Sequence, residues 1–396
     1  MKYVVVAVLA AFLCFSTALA SPEVGKTAWG GDFWFGYQMD RVDESTQQSA
    51  FGVHRGYIGL SYGWSPEVSG QMTINVFSSP RTLGWTFELV DAYVDWMRFV
   101  PNGKMRIGLQ KNYFASVYDW KDLTVRPSFA EAVGIVEERD YGIAFLGWIP
   151  NEMGEWGICL MNGEGYSSGF NPPYADKQPG VMLNVRLSPA RQTTVGFSLL
   201  RDRRYVYPWP TQADGVYESS IGYEPVTAFS FLAGYGSGPF TVSGEYLYYD
   251  YYISDRDNPD EPLNVKGAGF TIFPRVRVSE KLEVVGRYDS WDPDKDCSDP
   301  IWDDPTWGTA DYENPHAPGM WWLPRRYAPE YYYVKHDVYV VGFNYNITER
   351  KEGKEGVILQ FNWQRLDPKE QYANVTLDPV DSFVFQVKWG WGDLDL

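Results

Sequence analysis

The sequence is poor in cysteine and histidine, and both shortages exclude classes of protein. Its 396 residues include three cysteines and three histidines. Cys159 and Cys297, the two cysteines outside the N-terminal segment, make neither a metal-ligand pair nor a disulfide framework. His54, His316 and His336 form no H-E-x-x-H motif, and the chain has no G-x-S-x-G motif and no P-loop. We therefore expect no enzyme, no resident metal and no cofactor.

Basic residues are also scarce relative to acidic ones. Lysine and arginine total 34 against 51 aspartates and glutamates, which gives a formal net charge of −17. Nucleic acids are bound largely through lysine and arginine contacts to phosphate, so nucleic acid is not expected as a partner. A strongly acidic surface instead attracts cations within about 10 Å at ordinary salt.

Long hydrophobic runs are missing except at the N-terminus. Lys2 precedes an apolar run from Tyr3 to Phe15, and Ala18–Ala20 forms an A-x-A site. These are the parts of a secretory signal peptide, and the run is shorter than the roughly 20 residues of a membrane-spanning helix. Residues 1–20 are thus predicted to be removed after export. Residues 21–396 would form the mature protein, in the outer membrane of a Gram-negative-type bacterium.

The chain is rich in aromatic residues and in side chains that alternate with period two. Aromatic residues make up 17% of the sequence, as the interface girdles of a membrane barrel require. Successive side chains of a strand point to opposite faces. Apolar residues at 357, 359, 361 and 363 alternate with polar ones at 360, 362 and 364, and about sixteen segments of this kind follow one another.

Tight turns and longer irregular segments separate these strands in alternation. The tight turns carry the residues typical of such turns, at Trp64–Pro66, Pro101–Gly103, Ser188–Arg191 and Gly236–Gly238. Only helices and closed barrels satisfy every backbone group in lipid. The sequence therefore predicts an all-β fold: a single closed antiparallel transmembrane β-barrel of about 16 strands, with short periplasmic turns and long extracellular loops.

Several motifs occur in an order that resembles a known family. They are Arg55–Leu60, Asp91–Trp96, Arg106–Lys111, Glu138–Ile143, Gly147, Met161–Gly163, Gly244–Tyr246 and Gly286–Asp289. In this order they are similar to the strands of porins related to the phosphate-selective porin O and P family. The resemblance implies a sixteen-stranded barrel, usually a homotrimer, whose third outside loop folds inward and narrows the pore.

Two features depart from that family. Trp389 and Trp391 keep the outward phase of a last strand, but an acidic tail follows them. The equivalent of the constriction loop is residues 113–137, where basic residues do not outnumber acidic ones, so phosphate preference is not expected. The charged candidates in that loop are Asp119, Lys121, Asp122, Arg126 and Glu131.

Charged residues on the polar phase of the strands are the candidates for lining a water-filled pore. They are Arg55, Asp91, Asp95, Arg106, Asp140, Arg186, Glu245, Glu283, Arg287, Asp289 and Lys388. The alternative interpretation is that these charges pair across neighbouring strands and only stiffen the wall. A porin lined by both signs would pass small hydrophilic solutes or ions by passive diffusion, with a weak preference for cations because of the net charge. Its partners would be these solutes, outer membrane lipids and copies of itself.

The segment at residues 291–334 is predicted to be a long extracellular loop. Asp292, Asp294, Asp296 and Asp303 have a spacing that partly matches a calcium-binding loop. Cys297 stands where an EF-hand loop requires glycine, and Asp303 stands in place of its last glutamate. An acidic loop without a specific calcium site is the favoured interpretation.

Two other functions remain open at this point. A secreted, aromatic-rich glycosidase or lectin of β-sandwich type would explain the signal peptide, the tryptophans and the acidity. A plugged barrel with a structural or adhesive role would share every strand feature with a porin, because plugging depends on how the long loops fold.

Overall fold

A computed structural model describes the larger part of the chain. The described residues are 24–42, 45–79, 84–115, 127–163, 179–205, 223–253, 263–293, 295, 335–348, 356–369 and 378–392. The predicted signal peptide at residues 1–20 lies outside them. Within the described part of the chain, no helix is long and apolar enough to cross a membrane.

Sixteen strands and one short helix make up the described structure. The strands are β1 (Thr27–Val42), β2 (Ser45–Gly63), β3 (Val68–Ser79), β4 (Gly84–Met97), β5 (Gly103–Lys111), β6 (Arg139–Ile149), β7 (Gly154–Met161), β8 (Gly180–Ala190), β9 (Thr193–Tyr205), β10 (Tyr223–Ser237), β11 (Phe240–Ile253), β12 (Leu263–Arg277), β13 (Leu282–Asp292), β14 (His336–Asn346), β15 (Val357–Pro368) and β16 (Val380–Gly392). The helix α1 (Phe129–Ala132) lies between β5 and β6.

The strands form one closed antiparallel ring. Each strand pairs with its neighbours along the chain, and β1 pairs with β16, with Gly30 opposite Gly392 and Val42 opposite Val380. Closure leaves no free sheet edge. The predicted all-β, sixteen-stranded closed barrel is confirmed, and the β-sandwich alternative is wrong because all sixteen strands of the described residues belong to this one closed ring.

The two phases of each strand have opposite environments. Apolar side chains of one phase lie exposed on the outer surface, as at Ile107, Ile158, Val341 and Phe385. Side chains of the other phase are buried in the interior, as at Gln360. A soluble protein rarely exposes so large an apolar surface, so this outer surface is suited to lipid.

Exposed tryptophans of the described residues are concentrated at the rim where the short turns lie. They occupy the first residues of β1, the last residues of β4 and β16, or the turn after β2: Trp29, Trp64, Trp96 and Trp389. Aromatic side chains prefer the boundary between hydrocarbon and water. Their position at one rim is consistent with an aromatic girdle there.

Connections after even-numbered strands are short over most of the ring. They cover residues 64–67, 98–102, 150–153, 191–192, 238–239 and 278–281. Most connections after odd-numbered strands are longer, and the one predicted at 291–334 spans 293–335. The first two are exceptions, since only residues 43–44 and 80–83 separate the strands there. The tips of these strands extend beyond the apolar band, where apolar and polar residues no longer alternate. The sequence pattern therefore predicted shorter strands here than the structure has.

One glycine permits close contact between strands beside the site described below. Gly108 in β5 has a φ of +130°, and an added Cβ would lie 2.1 Å from the carbonyl oxygen of Ala92 in β4. Any larger residue would be both strained and sterically blocked at this position. Gly108 therefore lets β5 pair tightly with β4 just before the chain leaves the wall.

Candidate permeation site

The connection between β5 and β6 enters the barrel interior and is fixed to the wall at several points. Near its start, the Ala115 N–H donates to Ser198 Oγ in β9 at 2.9 Å, and Arg186 Nη2 in β8 donates to the Ala115 carbonyl at 3.5 Å. Further along, the Pro127 carbonyl accepts from Arg287 Nη1 in β13 at 2.6 Å. The described parts of this segment, 112–115 and 127–138, are called the inner loop below.

The inner loop packs an apolar surface against about half of the interior wall. Its helix α1 is capped by Ser128, whose Oγ accepts from the Glu131 N–H at 3.3 Å. Apolar residues of the loop form a single buried cluster with interior residues of β6 to β11 and β13. The cluster contains Phe114, Ala115, Phe129, Ala130, Val133, Ile135, Val136, Ala144, Leu146, Cys159, Met161, Met182, Leu200, Val226, Ala228, Leu247, Tyr249 and Trp291.

This apolar half of the interior corrects one expectation drawn from the sequence. The interior was expected to be polar throughout, because each strand was given one apolar and one polar phase. In the middle of β6 and at the end of β7, however, both phases are apolar: buried Ala144 and Cys159 alternate with exposed Ile143 and Ile158. The continuous apolar runs around these residues were the signal for a wall that is covered on both sides.

A charged band lies on the wall from β2 to β6. Arg106 in β5 binds Asp95 in β4 through two bonds, Nε to Oδ1 at 2.6 Å and Nη2 to Oδ2 at 2.8 Å. Lys104 Nζ also donates to Asp95 Oδ2, at 2.7 Å. Asp95 thus binds two neighbouring cations at once, and paired bonds of this kind fix the side chains firmly.

The inner loop meets this band through Glu138, its last residue before β6. Glu138 Oε2 accepts from Arg55 Nη1 in β2 at 3.0 Å, and Glu138 Oε1 accepts from Arg139 Nη1. Arg139 Nε in turn donates to Asp91 Oδ1 in β4 at 3.1 Å. These four residues join the loop, β2, β4 and β6 in one ion-pair network.

Aromatic rings lie beside the cations of the band. The ring of Trp34 in β1 has Arg55 Cζ at 5.2 Å and Lys388 Nζ at 5.0 Å from its centroid. Arg106 Cζ lies 3.5 Å from the centroid of Tyr93. Cation–π contacts add to the stability of a buried positive charge, so the rings help to hold these cations in the wall.

Tyr113, in the inner loop, is neutral at this site. Its hydroxyl oxygen accepts from Arg106 Nη1 at 3.1 Å. Burial raises the pKa of the Tyr113 phenol well above its usual range, although Arg106 acts in the opposite direction. The phenol therefore contributes a hydrogen bond but no charge at neutral pH.

The structure places all of the charged residues predicted for the pore on the interior phase of their strands. Arg55, Asp95, Arg106 and Arg186 have side chains 9–14% exposed, and the side chain of Glu283 is 21% exposed. Asp91, Arg287 and Asp289 have side chains no more than 2% exposed. The remaining predicted residues are Asp140, Glu245 and Lys388. Most of these charges pair with a neighbour, as the alternative interpretation expected, and their role in lining a pore stays a prediction.

The predicted charges of the constriction loop are mostly outside the described residues. Asp119, Lys121, Asp122 and Arg126 belong to that part of the sequence. Glu131 lies in α1, where it is buried and interacts electrostatically with Arg55.

Most aspartates of the candidate calcium site also lie outside the described residues. Asp294, Asp296 and Asp303 lie outside the described residues, and Asp292 at the end of β13 pairs with Lys335 Nζ at 3.1 Å. Among the residues that the structure describes, no group of three or more potential ligands could hold a metal ion.

No protein-family model and no curated protein sequence matches the chain. Solved barrels match its structure. The outer membrane channel DcaP of Acinetobacter baumannii is 9% identical with a TM-score of 0.61, over 94% of this chain and 100% of that chain. The chain has a porin fold.

Two further solved structures are similar to it. The anion-selective porin from Comamonas acidovorans is 9% identical with a TM-score of 0.59, covering 92% of this chain and 99% of that chain. The trimer form of OmpT of Vibrio cholerae is 10% identical with a TM-score of 0.55, covering 93% and 100%. At these identities the likeness shows the fold alone.

Proposed function

We propose that the protein is an outer-membrane porin, a water-filled channel for passive diffusion of small hydrophilic solutes and ions. The observation that carries this proposal is the inner loop, which covers the apolar half of the interior and faces a charged band on the other half. Selectivity of a pore comes from its width and from the charges that line it. The inner loop would set the width of the pore, and the accessible charges of both signs would line it.

The accessible part of the charged band is the expected path of the solute. Arg55, Glu138 and Lys104 keep 11–16% of their side-chain surface exposed. Arg55 on β2 and Glu138 at the end of the inner loop lie where the loop meets the wall, and Lys104 lies at the start of β5. Their partial exposure supports the view that water and ions pass beside them.

A weak preference for cations is part of the proposal. Buried carboxylates of the interior and inner loop outnumber buried cations among the described residues. The carboxylates are Asp32, Asp40, Asp91, Asp95, Glu131, Asp140, Asp202, Glu245 and Asp289, and the cations are Arg106, Arg139, Arg287 and Lys388. Together with the net charge of −17, this excess makes the interior more favourable for cations than for anions.

Reversal potentials in planar bilayers under a KCl gradient test the proposal. We expect discrete conductance steps. We also expect a reversal potential with the sign that a mild preference for cations produces. Glu138→Gln should shift it toward anions and Arg55→Gln should shift it further toward cations, because each removes one charge of the same accessible pair.

The control for this experiment is Lys281→Gln, which removes an exposed charge in the turn between β12 and β13, outside the strands. It should leave the reversal potential unchanged. Anion preference of the unmodified protein would refute the cation preference, and shifts of the same sign for both interior variants would show that the pair does not line the path.

Location and assembly follow from the same proposal. Residues 1–20 would direct export, and the barrel would insert into the outer membrane as a homotrimer. Support for assembly comes from the resemblance to the porin O and P family and from the trimer form in which OmpT was solved. Membership of that family within the porin fold is also a proposal, supported by the ordered strand motifs.

A barrel without a continuous water path is the second candidate. It is favoured by the burial of interior polar side chains on β15 and β16. Gln360, Asn362, Gln386 and Lys388 are each no more than 1% exposed, whereas side chains facing a wide channel would be wetted. Correctly folded protein that inserts into bilayers without conducting would favour this candidate over the porin.

A further inference from the structure

We propose that Arg287 is a positioning residue: it holds the inner loop against β13 and thereby sets the width of the pore, rather than acting as a pore charge. This inference rests on the proposed porin function. The sequence pattern assigned Arg287 to the lining of the pore, and its role is now the attachment of the inner loop.

The guanidinium of Arg287 is enclosed and is bonded on two sides. Its side chain is 0% exposed, and Nε donates to Asp289 Oδ1 at 2.7 Å. Asp289 Oδ1 also accepts from Thr271 Oγ1 in β12 at 2.6 Å. Thr271 and Asp289 therefore fix the guanidinium from behind, and a group without exposed surface cannot meet a passing ion.

The other side of the guanidinium is bonded to the inner loop. Nη1 donates to the Pro127 carbonyl oxygen at 2.6 Å. Pro127 immediately precedes Ser128, the residue that caps α1. The position of Arg287 therefore determines where α1 begins inside the barrel.

Aromatic packing supports the same attachment point. Phe129 in α1 contacts Trp291 in β13, edge to face, with ring centroids 6.0 Å apart. A Cβ at Gly269 in β12 would lie 2.9 Å from Phe129 Cζ, so the glycine leaves the space that the phenyl ring fills. One polar and one aromatic contact thus hold the start of α1 on β12 and β13.

The attachment lies at the start of the second described part of the inner loop, away from its Glu138 end. From Pro127 the loop runs through α1 to Glu138, which pairs with Arg55 in β2. Release at Arg287 would free the α1 end while the Glu138 end stays paired. The distance between α1 and the charged band, which under the proposed function limits the width of the pore, would then vary.

Arg275 provides a matched control for this idea. It lies on the interior phase of β12, next to β13, and its guanidinium is 3.8 Å from Glu283. Its side chain is 25% exposed, so Arg275→Met removes an interior positive charge of the same type without touching the inner loop in the described structure.

Single-channel recordings of Arg287→Met, Arg287→Lys and Arg275→Met in planar bilayers test the proposal. We expect both Arg287 variants to lose the single conductance level of the unmodified protein and to switch among several levels. Lysine keeps the charge but cannot reproduce the two-sided bonding of the guanidinium. Arg275→Met should keep one conductance level and shift only the reversal potential.

Phe129→Ala is a second test that leaves every charge in place. It should also produce several conductance levels, because it removes the aromatic contact with Trp291. Heat-modifiable migration on gels verifies that each variant forms a folded barrel before it is recorded.

The outcomes separate this inference from the proposed function. Absence of any conductance in the unmodified protein would refute the porin itself. A conducting protein in which Arg287→Lys behaves as unmodified, while Arg287→Met shifts the reversal potential as Arg275→Met does, would show that Arg287 is a pore charge and overturn the inference.

Discussion

Replacing Asp95 by alanine is expected to lower the free energy of unfolding by about 3–5 kcal/mol, the usual cost of breaking a buried ion pair. Asp95 is bonded to both Arg106 and Lys104 at 2.6–2.8 Å, and all three side chains are at least 84% buried. Without the carboxylate, two cations on the same strand would face each other with no anion between them. Urea unfolding of protein refolded into phospholipid vesicles, followed by tryptophan fluorescence, measures the effect.

Glu155→Ala is the control for this prediction. Glu155 in β7 also pairs with an interior arginine, Arg186, but at 3.6 Å and with its side chain 40% exposed. Exposed pairs contribute about 0–1 kcal/mol, so this variant should be close to the unmodified protein. Equal losses for Asp95→Ala and Glu155→Ala would mean that the charged band is solvated and contributes little to stability.

Replacing Val341 by arginine is expected to destabilise the barrel by about 2–4 kcal/mol, the cost of a basic residue at the midplane of a bilayer. Val341 is central in β14, on the outer phase, and its side chain is 53% exposed in the protein alone. If lipid covers this face, the charge has no water or partner there. The same urea titration in vesicles measures the loss.

Val278→Arg provides the matched control. Val278 is 60% exposed, but it lies in the turn after β12, outside the strands. Near the interface the cost of arginine falls to about 0–1 kcal/mol. A small cost at both positions would contradict lipid contact at Val341, because arginine on a water-facing surface destabilises little.

The sequence was sufficient for the fold because period-two alternation is a local property. In β15 the exposed or half-buried apolar phase at Leu359 and Phe361 and the buried polar phase at Gln360 and Asn362 follow the predicted assignment. A closed ring then follows because, in lipid, the backbone groups of the edge strands find hydrogen-bond partners only if the sheet closes. Strand ends were less predictable at β1 to β4, where the strands continue beyond the apolar band.

The site was only partly predictable because its contacts connect distant parts of the chain. Arg55 and Glu138 are 83 residues apart, and Arg287 and Pro127 are 160 apart. Strand phase correctly turned Arg287 toward the interior, but phase alone cannot distinguish a residue beside water from one behind a loop. The apolar surface of the inner loop, at Phe129 and Val133, decides between the two. The apolar runs in β6 and β7 indicate part of the covered wall, but they do not show which loop covers it.

The central claim is that hydrocarbon covers the outer apolar phase of the strands. Quenching of a thiol-linked fluorophore by brominated lipids tests it most directly, with single cysteines at positions 359 to 362 of β15 in a background lacking Cys159 and Cys297. Strong quenching at 359 and 361, with little at 360 and 362, is the result that the barrel predicts. Equal quenching at all four positions, or none at 359 and 361, would contradict it.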